Sequence, residues 1–338
     1  MNDNYPPALW IDRAIGLGAA LASALLFAAS TRGSSLAMTL AYFAPLPLSI
    51  GALGFSPSGA LAGALIGAAL LAHFTAPALG LGFFLGFGAP ALIAAALARR
   101  TLPPRGDEAS PAPRNLAPGG LLAILMALAV ALTWLGVGAL VSVQGGFEPA
   151  MAAALAHFAA PLDEIVKNVK AIWPDIEADK AKRLFILCLP AGFAASQTVL
   201  LAVNLWLAAR TVEISGKLGR PWPALPEHLV LPRFVAPLFV LAAGLTLGGG
   251  LAGALAGALA AAAGCCLAIQ GLAALHAFTR ASRFRGFLLS GLYAVVFVLE
   301  PWSLLALTLF GLVESVFSLR ARKAHRLNPK TQVQKEPR

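Results

Sequence analysis

Apolar blocks of roughly 15 to 28 residues, parted by short loops, run through almost the whole chain. A helix that crosses a membrane needs about 20 consecutive apolar residues to cover a hydrocarbon core of about 30 Å, and few other folds tolerate such runs. Composition closes off the soluble reading. The chain is 59% hydrophobic and 12% charged over 338 residues, against about 25% charged in an ordinary globular domain. The blocks are continuous rather than ten-residue segments of alternating polarity, which selects helices over a membrane barrel. The expected fold is therefore all-α, a polytopic transmembrane helix bundle of about ten spans.

The candidate spans are Ala14–Ser30, Leu36–Phe55, Ser58–Ala76, Ala78–Ala98, Gly119–Gln144, Leu184–Ala209, Phe234–Leu247, Leu251–Phe278, Phe287–Leu299 and Trp302–Leu319. The run from Phe234 to Phe278 would make a helix of roughly 68 Å, so it must be two spans, and Gly248-Gly249-Gly250 is the obvious break. Glu300-Pro301 predicts a turn between two short final helices. The start carries Asp3, Asp12 and Arg13, an acidic balance that disfavours a cleaved signal and favours a retained first span.

Charge sets the expected orientation. Most of the 25 basic residues follow the fourth, sixth, eighth and tenth spans. Ten spans put all four regions on one side, and the positive-inside rule then places both termini in the cytoplasm. The resulting organisation is a first group of spans over 1–100, a flexible Pro/Gly-rich cytoplasmic linker at 101–118, and a fifth and sixth span over 119–209. A cytoplasmic loop follows at 210–233, then the last spans over 234–320 and a basic disordered tail at 321–338. The net charge of +10 is concentrated in loops and tail, so it reads as orientation and lipid-surface contact, not as nucleic-acid binding.

One amphipathic segment interrupts the pattern, within 149–180. Met151, Leu155, Phe158, Leu162, Ile165, Val169, Ile172 and Ile176 share a helical face, with Asp163, Glu164, Lys167 and Lys170 opposite. Pro161 and Pro174 limit or kink it. The charge map puts it on the outer face, either lying among headgroups or covering a site.

Chemistry-bearing residues are sparse. Gly59, Gly63 and Gly67 stand four apart, and Gly249, Gly253 and Gly257 repeat the step. Small residues at this spacing allow close helix contact in lipid, either within the fold or against a partner membrane protein. They also leave open an inverted repeat of two halves. Gln197 and Asn204 lie seven apart on one face of the sixth span, and Gln270 lies in the eighth. Such amides serve as interhelical glue or line a pocket, for which proline-broken Pro45 and Pro47 supply a further wall. Glu314 is the carboxylate well inside an apolar block, to be paired with a basic residue such as Arg320 or used for proton coupling or ligand contact. Cys188, Cys265 and Cys266 lie in apolar blocks and are expected as packing residues, with no disulfide, metal site or cofactor. No HExxH, GxSxG or paired intramembrane aspartate appears, so an enzyme is not expected.

The closing third has recognisable wording. Gln270-Gly271-Leu272-Ala273-Ala274-Leu275-His276, Leu289 to Tyr293, and Gly311-Leu312-Val313-Glu314-Ser315-Val316-Phe317-Ser318-Leu319-Arg320 resemble the end of the YybS-like family of bacterial multi-pass membrane proteins (domain of unknown function 2232). That resemblance implies a bacterial cytoplasmic (inner) membrane location and no particular mechanism; the family usually has Asp where Glu314 stands. In the first half, Phe43-Ala44-Pro45-Leu46-Pro47 and Phe55-Ser56-Pro57-Ser58-Gly59-Ala60-Leu61-Ala62-Gly63 are similar to the substrate-binding membrane subunits of energy-coupling-factor importers. This second likeness implies capture of a small molecule and docking of a partner, although those subunits have about six spans. Two functions are thus expected: small-molecule binding or transport, or a non-transporting scaffold for envelope or division machinery.

Overall fold

The computed structural model describes residues 9–102 and 114–327. The expectations for the middle of the 101–118 linker and for the tail after 327 lie outside the described residues. Among the described residues, seven helical segments are long and apolar enough to cross a membrane: Leu9–Ala29, Ser35–Gly54, Pro57–Phe74, Pro77–Arg99, Pro118–Val143, Ala178–Ile214 and Gly250–Phe278. Three shorter apolar helices, Val235–Thr246, Arg285–Val298 and Trp302–Phe317, accompany them. Large apolar side chains stay uncovered on these helices, with Leu245 58% and Phe297 88% exposed. In water such surface would drive aggregation; against lipid tails it costs nothing. The chain is a multi-pass integral membrane protein.

Its contacts sort into two compact units, the residues up to Leu128 with Gln197–Pro223, and Ala129–Ser196 with the residues from Ala224 onward. The first unit opens with α1 (Leu9–Ala29), α2 (Ser35–Ala41), α3 (Pro45–Gly54) and α4 (Pro57–Phe74). It continues with α5 (Pro77–Phe83), a π-helical turn at Phe84–Gly88 and α6 (Ala89–Arg99). Its contact between α1 and α4 is made of small residues. A Cβ on Gly63 would lie 2.6 Å from the Leu17 carbonyl oxygen and 2.7 Å from Ala20 Cβ, and one on Gly16 2.8 Å from the Ser56 oxygen. The helices approach so closely only because Gly59, Gly63 and Gly67 face Arg13, Leu17, Ala20 and Ala24. Ser56 caps α4 by accepting from the Gly59 N–H at 3.1 Å, with Pro57 in the first turn. The core beside this contact is Leu48, Leu53, Leu125, Leu201, Leu205 and Val212 with many alanines.

The ends of the expected linker are tied. Thr101–Leu102 (β1) and Arg114–Asn115 (β2) form a short antiparallel pair, and α7 (Pro118–Val143) then leaves with Pro118 at its start. The second unit takes the remainder of α7, then α8 (Phe147–His157), α9 (Ala159–Ile172) and the first part of α10 (Ala178–Ile214). It also holds α11 (Leu225–His228), α12 (Val235–Thr246), α13 (Gly250–Phe278), α14 (Arg285–Val298), α15 (Trp302–Phe317) and α16 (Leu319–Leu327).

Four sequence expectations need correction. The amphipathic segment is two helices, because Pro161 cannot donate to the His157 carbonyl and the chain turns at Phe158. Burial accordingly falls on Met151, Leu162 and Val166, while Ile172, also on the expected face, is exposed. The sixth span is 37 residues long, roughly 55 Å, so it overruns the expected Leu184–Ala209 at both ends. The basic tail expected from 321 is helical through Leu327. Arg322 lies over the Phe317 ring at 5.7 Å, and Lys323 donates to the Phe278 carbonyl at 3.2 Å. Finally, Gly249 has no atom within 4 Å of a notional Cβ; with φ near 64° it serves the break between α12 and α13 and not helix packing.

Candidate functional site

The amides expected to line a pocket serve backbone repair, although Asn204 Oδ1 is buried with no partner among the described residues. In the first unit, Gly86 would give its carbonyl to the N–H four residues on, but that residue is Pro90, which has none. The π-helical turn lies at this point, and the Gln197 side-chain amide donates to the Gly86 oxygen. Asn204, two turns along the same face, donates to Tyr42 oxygen at 2.9 Å and to Leu200 oxygen at 2.8 Å. Tyr42 sits where Pro45 and Pro47 begin α3, and the Leu46 N–H bonds Phe43 instead. A freed carbonyl in hydrocarbon must be satisfied by a neighbouring helix, and α10 supplies both donors. Ser23 of α1 completes the repair by accepting from the Leu48 N–H at 2.9 Å. Pro45 is buried and starts α3; Pro47 is half-buried.

Gln270 has the same task in the second unit. Its side chain is fully buried, its oxygen accepts from the Leu231 N–H at 2.6 Å, and its nitrogen donates to Ser315 Oγ at 2.7 Å and Gly311 oxygen at 3.3 Å. Beside it α13 and α15 touch backbone to backbone, since a Cβ on Gly271 would lie 2.5 Å from the Leu307 oxygen and one on Gly311 would overlap the Leu267 carbonyl. One turn further, Glu314 is paired with Arg320 at 2.7 Å, with side chains 4% and 11% exposed. The Arg320 guanidinium also donates to the Pro226 and Leu229 oxygens, each at 2.8 Å. Ser318, with φ 49°, turns the chain so that Arg320 folds back onto Glu314. Gln270 and the Glu314–Arg320 pair thus form one clasp, which joins α13, α15 and the 226–231 segment. Glu314 is paired, as one expected alternative held.

The residues singled out from sequence therefore do not converge on one site. Pro45, Pro47, Gln197, Asn204, Gln270 and Glu314 line neither of the two cavities described here. Gly59, Gly63 and Gly67 are spent on α1, and Gly253 and Gly257 pack on Thr246, the latter also near Ala191. Among the described residues, no group of three or more His, Cys, Asp or Glu could hold a metal ion.

A cavity in the second unit is lined by none of the expected site residues. It measures about 380 Å³ and lies between α7, α8 and the first part of α10. Its wall includes Gly136, Leu140, Phe147, Met151, Ala154, Ile186 and Phe193, and Thr133 is its single polar side chain. That hydroxyl is already committed to the Ala129 oxygen at 2.8 Å. Pro190 in the wall removes the intrahelical donor of the Ile186 carbonyl. α8 forms one wall of this open cavity and follows two positive-φ glycines, Gly145 (φ 77°) and Gly146 (φ 150°). Met151 and Leu162 pack on Ile186, and the ion pairs Arg183–Glu148 (3.0 Å) and Lys182–Asp163 (2.5 Å) hold α8 and α9 to α10. Both pairs have partners more than half exposed, so each contributes at most about 1 kcal/mol. Signals for this cavity did exist in the sequence: the Gly145-Gly146 hinge before the amphipathic segment, and Pro190. No protein-family model matches the chain, and no curated protein or solved structure is significantly similar to it.

Proposed function

We propose that this membrane protein binds a small, uncharged, apolar molecule, such as a single acyl or prenyl chain, in the cavity between α7, α8 and α10. One observation carries the reading: a space of about 380 Å³ walled almost wholly by hydrocarbon, within the range of small-molecule sites. The absence of a charged wall residue selects the ligand, because an ion there would be desolvated without a partner. The α8 wall suits capture and release. α8 follows two positive-φ glycines and is held by exposed ion pairs and by the packing of Phe147, Met151, Ala154 and Leu155, so its displacement costs mainly that apolar contact. Small-molecule capture is the binding half of the binding-or-transport expectation, moved from the amide residues to this cavity. The scaffold reading has less support, since α4 uses its small-residue face on α1.

Photolabelling with a diazirine-bearing fatty alcohol in lipid nanodiscs tests the proposal. The expected result is labelling at Leu140, Phe147, Met151 or Phe193 that saturates and is competed by unlabelled alcohol. Labelling that rises in proportion to probe and spreads evenly over the outward-facing apolar residues would refute it.

A further inference from the structure

A second cavity, in the first unit, has the opposite chemistry. It measures about 440 Å³ and is walled by Leu53, Gly54 and Phe55 at the end of α3, Ala98 and Arg99 at the end of α6, and residues 217–220 and 222 after α10. Three cations, Arg99, Lys217 and Arg220, border it, and among the described residues no carboxylate does. Among the described residues, each has a structural contact to a neutral group. Arg99 donates through one nitrogen to the Ala52 and Leu53 oxygens, at 3.0 and 2.9 Å. Arg220 donates to the Ala98 oxygen. Lys217 lies 5.8 Å from the Phe55 ring centre. Carbonyl oxygens and a ring face orient cations but do not cancel their charge. Burial lowers the Arg220 pKa from its ordinary value, the mark of a cation losing water without gaining an anion.

The decisive atom is Trp222 Nε1. It is buried and has no hydrogen-bond partner among the described residues, although the Trp222 main-chain N–H is bonded to Glu213 at 2.9 Å. An indole N–H can only donate, and leaving it unmade in the interior costs free energy. Three cations and an unused donor around one cavity form a receptor for an oxyanion with several acceptor atoms. The two loops that meet here follow the fourth and sixth spans, both of which the charge distribution assigns to the cytoplasmic side, where the leaflet is anionic.

We propose that this cavity binds a phosphate group, either the headgroup of an anionic phospholipid or a soluble phosphate. Arg99, Lys217 and Arg220 attract it and Trp222 Nε1 donates to one of its oxygens. The site is independent of the apolar cavity, and its failure would leave that reading untouched.

The test is native mass spectrometry of the full chain in detergent, titrated with phosphatidylglycerol, with phosphatidylcholine, and with phosphatidylglycerol plus inorganic phosphate. Two variants should keep the fold: Trp222→Phe removes an unpaired donor, and Lys217→Gln alters an exposed side chain. Phosphatidylglycerol is expected to bind in preference to phosphatidylcholine. Trp222→Phe is expected to weaken it about 10-fold, as for loss of one hydrogen bond to a charged acceptor, and Lys217→Gln about 3-fold. Displacement by millimolar inorganic phosphate would identify a soluble phosphate as the ligand, and resistance to it the lipid headgroup; both support the site. Equal binding of both lipids with no phosphate effect, or variants that bind like the parent, would overturn it.

Discussion

Replacing Glu314 by Leu strands the Arg320 guanidinium in a site where it is 11% exposed. Breaking a buried ion pair from one side costs about 3–5 kcal/mol, because the remaining charge is left without its partner. The lower end applies here, since Arg320 keeps its bonds to the Pro226 and Leu229 oxygens. Arg320→Met loses those two bonds as well, about 1 kcal/mol each, so it should cost about 5 kcal/mol. Replacing both residues removes the stranded charge and leaves only the lost carbonyl bonds, about 2 kcal/mol. The double variant is therefore expected to be more stable than either single one. For a unit of this size each kcal/mol moves the thermal midpoint by about 2–4 °C, which puts Glu314→Leu about 6–12 °C below the parent. Intrinsic-fluorescence melting in detergent reads all four proteins. A double variant whose loss equals the sum of the two single losses would refute the clasp, since uncoupled residues add.

The same logic applies to the intramembrane amides. Gln197→Leu should cost about 1–3 kcal/mol by orphaning the Gly86 carbonyl, and Pro90→Ala in the same chain should recover much of it by restoring an N–H four residues on; equal melting of single and double variants would contradict the repair role. Gly63→Leu should separate α1 from α4, because its Cβ meets the Leu17 oxygen at 2.6 Å. The yield of folded protein in size-exclusion chromatography should fall well below that of Gly138→Leu, whose Cβ meets nothing within 4 Å. Equal yields would show that the α1–α4 contact is loose.

The sequence carried the membrane character and most element positions for a simple reason: hydrocarbon thickness dictates run length, and glycine and proline mark the breaks. The Gly248–Gly250 interruption, the turn near Pro301 and the proline-broken second span all stand where the residues put them. Pairings were less legible. That Gln197 belongs to Gly86 follows from Pro90, but nothing local tells which of many carbonyls an amide will reach across 111 residues. Beyond Gly145-Gly146 and Pro190, the apolar cavity was hard to read for a related reason. Its wall is ordinary Leu, Val, Phe and Ala, and a void is a property of how helices fail to meet, which no single residue encodes. The conspicuous polar side chains, Gln197, Asn204 and Gln270, donate to carbonyls of neighbouring segments instead.

The most direct test of the apolar cavity is to fill it. Gly136 lines the cavity, and a Cβ there meets nothing within 4 Å, so Gly136→Leu should fold at least as well as the parent, helped by about 1 kcal/mol of helix propensity. Four added carbons, each about the 30 Å³ of a water molecule, would take roughly a third of the space. A bound chain would lose about four buried methylenes, about 3 kcal/mol or roughly 100-fold in affinity. Native mass spectrometry of the parent, Gly136→Leu and Gly138→Leu, each released from the same lipid nanodiscs, compares their occupancy. A stoichiometric apolar adduct on the parent and on Gly138→Leu, absent from Gly136→Leu, is the expected result. The same adduct on all three proteins, or none on the parent, would contradict the binding role.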